Sequence, residues 1–534
     1  MSSAGGVCET RPVDNRTRIA ALLLLVGSAC GSIGSPEPQE AATTTAVPTP
    51  ATPAPTTRVA SPTTAATRPS TTTPAGSETT GTGPAATTEP PLPPETVGTA
   101  GLGDSFYPLL GNGGYDVLHY EIELDVDPAA NTIDATTTLS AVATQDLSSF
   151  NLDLSGLDVA AVHVDGVTAL FSREGTELTV RPATQIQEGE SFSAMVSYSG
   201  TPEPINDPGV PFTAVGWQWV DGVIFTVNEP SGSMSWFPGN NHPTDKATFT
   251  FHLTVPAGAT AAATGVLVRE VTGEGATTVT WQMDDPMTTY LAAVYVGDFE
   301  RRESVHSDGL VIRDYVPPDI DPTLAEALTV APDAIRFYES IFGPYPFDAY
   351  GTLVLPFPTG YALENQTLSV HGLDSLDAYV IAHEVMHQWI GNSVTVADWS
   401  DIWMLEGFAF YLPWMYLAEA QGLDIDTAMA EFYEAMRGMN APPPKGIELH
   451  QLFDFAAVYG RGGLTLHALR VHVGDPSFLE IMRTHYERSA GGAADTESFL
   501  GIVEELAGGS AVELTRSWLF DTDFPAAPPP LTSR

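Results

Sequence analysis

Cysteine is almost absent from this chain of 534 residues: Cys8 and Cys30 are the only two, and both precede residue 31. Everything beyond that point can hold neither a disulfide nor a thiolate metal site, so a metal there must be bound by His, Asp or Glu. Positive charge is nearly as scarce. Lys and Arg number 21 against 66 Asp and Glu, for a formal charge of −45, and Lys246 and Lys445 are the only lysines. Such a surface repels phosphate backbones and anionic lipid, which argues against a nucleic-acid partner and makes a solvated acidic surface the plain reading. At the N-terminus the apolar run 19–26 is too short to span a membrane.

That run follows Arg16 and Arg18 and leads through small residues to Cys30, the pattern of a secretory signal over 1–30. Its end, "GSAC", resembles the lipobox of bacterial lipoproteins, with Gly27 where that motif has leucine. The expectation is an exported protein, anchored to the cell envelope by lipid on Cys30 or released outside. Residues 31–104 are mostly Thr, Pro, Ala, Ser and Gly and cannot bury enough apolar surface to offset their conformational entropy. A disordered tether is predicted there.

From 105 to 303, segments such as "YDVLHYEIELDVD" and "ATFTFHLTVP" alternate apolar and polar residues between Asp, Asn, Gly and Pro, which predicts an all-β domain. From 304 to 524 the apolar period becomes helical, with "GTLVLPF" as one more strand, which predicts an α/β domain. A Pro-rich tail, 525–534, follows.

The chemistry is concentrated in "AYVIAHEVMHQWIGNS". On a helix His383 and His387 stand one turn apart on one face, and two imidazoles so placed can share a zinc ion. Glu384 beside them can reach a water and serve as general base. A third ligand is then required from His, Asp or Glu, and Glu406, eighteen residues after His387 in "WMLEGFAFY", stands on the next predicted helix. An isolated histidine on such a helix is more often a hydrogen-bonded core residue; the grouping favours one zinc ion as cofactor.

The stretch "HEVMHQWIGNSVTVADWSDIWMLEGFAFY" resembles the active site of the aminopeptidase N family of gluzincin peptidases, which also contains the leukotriene-epoxide hydrolase. Leu405 stands where that family has asparagine before the ligand glutamate. The resemblance implies a saddle-like N-terminal β-domain followed by a thermolysin-like α/β zinc peptidase domain. It makes His383, His387 and Glu406 the zinc ligands and Glu384 the base. "GYALENQTLS" is similar to the family's GxMEN strand, with Tyr361 and Leu363 in place of the glycine and methionine, and it makes Glu364 a ligand of the substrate's free amine. "TVNEPSGSMSWFPGNNHPTDKATFTF" aligns Glu229 with the second amine-binding acid, and "AAVYGRGGLTLHALR" aligns Tyr459 with the tyrosine that stabilises the oxyanion.

The implied substrates are peptides with a free N-terminus. The resemblance stops soon after the second domain, so the helical C-terminal domain of many members is expected to be missing. A zinc endopeptidase, an epoxide hydrolase and a non-enzymatic surface binding protein on the same scaffold stay open as alternatives. His242, His371 and His450 have no partner at metal spacing and read as surface or hydrogen-bonding residues. His467, Asp398 and Asp401 are undecided between supporting the site and lying outside it. The acidic composition suggests a preference for basic N-terminal residues.

Overall fold

The computed structural model describes residues 96–306 and 309–527. The signal segment, Cys30, the tether up to residue 95 and the last seven residues of the tail lie outside the described residues.

Alternation of side chains builds the first domain. Along Tyr115–Asp127, Tyr120, Ile122, Leu124 and Val126 are buried, while Glu121, Glu123 and Asp125 between them face solvent. This strand lies at the centre of an eight-stranded sheet, antiparallel to Thr132–Ala143 on one side and parallel to Lys246–Pro256 on the other. A four-stranded sheet carries Gly216–Val220 and Val223–Val227, and a three-stranded sheet is formed by Phe150–Asp153, Glu177–Arg181 and Leu170–Glu174.

Both edges of the predicted β-domain need correction. Residues 96–104, taken as tether from their composition, are bonded to the domain. Gly98 N donates to Ser149 O at 2.9 Å, Gly101 N to Gly111 O at 2.9 Å, and Trp399 N to the buried Asp104 carboxylate at 2.7 Å. At the other edge, Glu300–Val305 pairs with Val311–Val316 in the next domain's sheet, so a boundary at 303 would cut a strand.

The second domain opens with a six-stranded sheet, ordered Glu300–Val305, Val311–Val316, Thr352–Val354, Ser369–His371 and Ala362–Leu363, with Ala349–Tyr350 beside Val311–Val316. Its helices are α1 (Pro322–Glu326), α2 (Ala331–Phe342), α3 (Ala378–His387), α4 (Trp403–Gln421), α5 (Ile425–Met439), α6 (Gly462–Val473), α7 (Asp475–Ser489), α8 (Thr496–Ala507) and α9 (Gly509–Phe520). Helix α4 is apolar all round and buried through its first turns, as a central helix must be. Among the described residues no helix is long and apolar enough to cross a membrane.

Candidate active site

Helix α3 starts at Asp377, whose carboxylate accepts from the backbone N–H of Tyr379 at 2.8 Å and of Val380 at 3.1 Å, satisfying two otherwise unpaired donors. One turn apart on its buried face, His383 and His387 bring their Nε2 atoms to 3.0 Å. The other ring nitrogen of His387 bonds the Ile390 carbonyl at 3.1 Å, which holds a proton on Nδ1 and turns the lone pair of Nε2 inward. The turn "IGNS" wraps this ring closely. A Cβ on Gly391, at φ +135°, would lie 2.8 Å from His387 Nδ1.

Glu406 sits in the first turn of α4, where the helix dipole favours a carboxylate. Its Oε2 lies 3.4 Å from His383 Nε2 and 3.6 Å from His387 Nε2. Donor atoms bound about 2.0–2.1 Å from a tetrahedral zinc stand about 3.3–3.4 Å apart, so this buried triangle has the size of one zinc coordination face. Glu406 Oε2 is buried with no hydrogen-bond donor, as expected of an oxygen reserved for a metal. The residues present therefore fit one zinc ion.

Tyr459 reaches the same place by a different route. Residues Phe455–Arg461 form a π-helical turn that runs directly into α6. The Tyr459 ring stacks on His383 with centroids 6.3 Å apart. This approach depends on two glycines: a Cβ on Gly407, next to Glu406, would lie 3.1 Å from Gly462 Cα. Arg461 points away from the site and donates to the carbonyls of Ala441, Trp518, Ser517 and Asp521.

Glu364 follows the short strand Ala362–Leu363 and is buried. Its carbonyl accepts from Gln388 Nε2 at 3.0 Å and Asn392 Nδ2 at 2.7 Å, so the end of α3 holds this strand against the metal triangle. Glu229 comes from the β-domain and is buried in the same cavity, whose lining includes His383, Glu384, His387, Glu406, Glu364 and Tyr459.

Crowding of carboxylates sets the electrostatics. Burial raises the pKa of Glu229, and Glu364, Glu406 and Glu384 raise it further. Burial likewise raises Glu384 and Glu364, although His387 opposes both shifts. On His387 burial opposes the charge, but Glu364, Glu406 and Glu384 outweigh it and lift the group to about 10. Burial also works against ionised Glu406, yet the two histidines hold it at about 2. Four buried carboxylates thus face too little positive charge, a deficit that a divalent metal and a substrate ammonium would fill.

Several residues that support this site escaped the sequence reading. Gln388 and Asn392 directly follow the histidine motif, and Asn365, beside Glu364, donates to Tyr295 Oη at 2.7 Å. Lys246 reaches across from the β-domain to the carbonyls of Asn392 at 3.0 Å and Ser393 at 2.7 Å, and burial pulls its amine down to about 7. Other candidates lie outside the site. Asp398 bonds Ser105 and Ser400, Asp401 pairs with Lys445, and neither carboxylate orients a ligand histidine in these bonds. His467 bonds Tyr411, His371 the Ser375 carbonyl and His242 the Thr244 hydroxyl, while His450 is exposed near Glu448.

This geometry has solved counterparts. The M1 zinc metallopeptidase from Deinococcus radiodurans is similar over 81% of this chain and 100% of its own, at 33% identity and a TM-score of 0.77. Family models describing the Peptidase family M1 domain and the Peptidase M1 N-terminal domain match residues 326–518 and 117–291. The chain belongs to the M1 family of zinc metallopeptidases. It thereby belongs with the aminopeptidase N relatives that the motifs resemble, and the family's single catalytic zinc is its cofactor.

A mutant of the Deinococcus M1 enzyme bound to a Tyr-Ser-Ala substrate matches at 34% identity and a TM-score of 0.76, over 80% of this chain and 100% of that one. Among curated M1 relatives, rice Aminopeptidase M1-C is 25% identical over 76% of this chain and 49% of its own length. Human Endoplasmic reticulum aminopeptidase 1 is 23% identical over 68% of this chain and 42% of its own. The chain spans about half the length of the curated relatives it matches.

Proposed function

We propose that this M1 protein is a zinc-dependent aminopeptidase that removes one residue at a time from the free N-terminus of peptides. The observation that carries the proposal is the burial of Glu229 and Glu364, from different domains, in one cavity with the His383, His387 and Glu406 triangle. An endopeptidase has no use for paired carboxylates beside its metal, whereas an exopeptidase needs them to hold the substrate ammonium and fix which bond is cut.

His383, His387 and Glu406 would hold the zinc, which when bound polarises the peptide carbonyl and makes a water acidic enough to lose its proton near neutral pH. The Glu384 carboxylate takes the proton of the attacking water and returns it to the leaving amine nitrogen. Tyr459 donates its hydroxyl to the oxygen on which negative charge develops. Glu229 and Glu364 hold the ammonium throughout.

Beyond the acids and the two histidines the lining is mostly apolar, with Val210, Phe212, Val215, Tyr361 and Phe453, and Thr213 among them. The carboxylates among the described lining residues are the four already assigned. An apolar or aromatic N-terminal side chain therefore fits better than the basic one that overall composition suggests.

Export is part of the same proposal. Arg16 and Arg18 ahead of the run 19–26, and the small residues before Cys30, support secretion with a lipid on that cysteine. Palmitate labelling lost in Cys30→Ser would support the anchor; labelling that persists would remove it. For the activity, a ten-residue peptide is digested and followed by mass spectrometry. Stepwise loss from the N-terminus supports the aminopeptidase, and internal fragments as first products would favour an endopeptidase.

A further inference from the structure

The segment that leads out of the region taken as tether makes contacts on two sides. Asp104 fixes its own turn by accepting from the N–H groups of Phe106 and Tyr107, both at 2.8 Å, and with its other oxygen from Trp399 N at 2.7 Å. Ser105 donates through its N–H and its hydroxyl to Asp398, both at 2.8 Å. Residues 398 and 399 lead into the helix that carries Glu406. On the opposite side the Tyr107 hydroxyl donates to Asp207 Oδ1 at 2.6 Å.

Asp207 is buried and gathers three donors: Tyr107, the N–H of Gly209 at 2.7 Å, and the Ser231 hydroxyl on its other oxygen. It heads the loop from which Val210, Phe212, Thr213 and Val215 line the cavity. Ser231 stands two residues beyond Glu229. Gly209 has no side chain where one is excluded, because a Cβ there would overlap the Tyr107 hydroxyl.

We infer that residues 104–107 form a positioning strap, in which Tyr107 acts through Asp207 and Ser231 to hold both Glu229 and the loop 207–215 against the substrate's N-terminal residue. This inference rests on the aminopeptidase reading. A buried carboxylate that loses one of its donors shifts to recover hydrogen bonding, and here the groups it carries along are the pocket loop and the amine-binding turn. Tyr107 is thus a positioning residue for the side-chain and amine subsites, and the zinc triangle does not depend on it.

The test uses zinc-loaded full-length protein and phenylalanyl-arylamide as probe. Tyr107→Phe removes one hydrogen bond to Asp207, Ser231→Ala removes another, and Tyr115→Phe removes a more deeply buried phenol bond, to the Asn151 carbonyl, elsewhere in the β-domain. The expected result is a KM about ten-fold higher in Tyr107→Phe and Ser231→Ala with kcat within about two-fold, and no KM change in Tyr115→Phe. If Tyr107→Phe folds poorly, Ser231→Ala carries the comparison. A KM that is unchanged, or that rises equally in Tyr115→Phe, would overturn the inference. If the unaltered protein does not cleave the probe, the aminopeptidase reading itself fails, and hydrogen exchange of residues 208–215 and 228–232 then decides on the strap. Faster exchange in Tyr107→Phe than in Tyr115→Phe upholds it; equal exchange overturns it.

Discussion

Two groups of acidic residues divide the work of this molecule. On the solvent face of the large β-sheet, Glu121, Glu123 and Asp125 alternate with buried Tyr120, Ile122, Leu124 and Val126, each of the three acids exposed. Glu229, Glu364, Glu384 and Glu406 are all buried in the cavity between α3, α4 and the turn that carries the first of them, and are close enough to shift one another's protonation. The outer acids form part of a solvated negative surface. The inner four create a demand for positive charge, which on the proposed reading zinc and a substrate ammonium would meet. The same side chain is nearly neutral to stability in one place and decisive for chemistry in the other.

The contrast breaks most visibly at Glu384. Glu384→Gln keeps the size of the side chain and removes the proton acceptor, so kcat should fall about 10³-fold while zinc content, measured by metal analysis, is unchanged. Next is Glu229→Gln, which should lower kcat/KM for a free-amine substrate about 10- to 100-fold, the loss of a hydrogen-bonded charge partner, in steady-state assays.

Asp153 sharpens the comparison because it is buried but does not line the cavity. Burial lifts its pKa from 3.8 to about 8, although the N–H groups of Asn241 and Gly111 oppose the shift. The folded state therefore binds the extra proton. The stability this group contributes is present below pH 3.8 and is lost as pH rises through about 8. Asp153→Asn keeps an acceptor without the charge, so its melting temperature should exceed that of the parent by a few degrees near pH 9, and by less near pH 5. At the small end, Glu123→Gln on the exposed face should change unfolding free energy by less than about 0.5 kcal/mol in urea titration.

The metal triangle was the most legible part of the molecule. Spacing of four places His383 and His387 on one helical face, and the chemistry of a zinc site demands the third acid that Glu406 provides. Alternation likewise announced the β-domain. What escaped was long-range or backbone-made. The π-helical turn under Tyr459 leaves no periodic signature, and the parallel pairing of Tyr115–Asp127 with Lys246–Pro256 joins strands that the chain separates widely. Residues 96–104 look like tether because they carry few apolar groups, yet backbone amides and the single carboxylate of Asp104 fasten them. Glu300–Val305 is largely exposed and polar, so nothing in it marks the change of sheet.

The central claim is that the buried acids read a free amine beside a metal. It is tested most directly by assaying one aminoacyl-arylamide with its amine free and with its amine acetylated, with and without a chelator. The account predicts cleavage of the free-amine compound alone, abolished by the chelator and restored by zinc. Equal cleavage of the acetylated compound would contradict it.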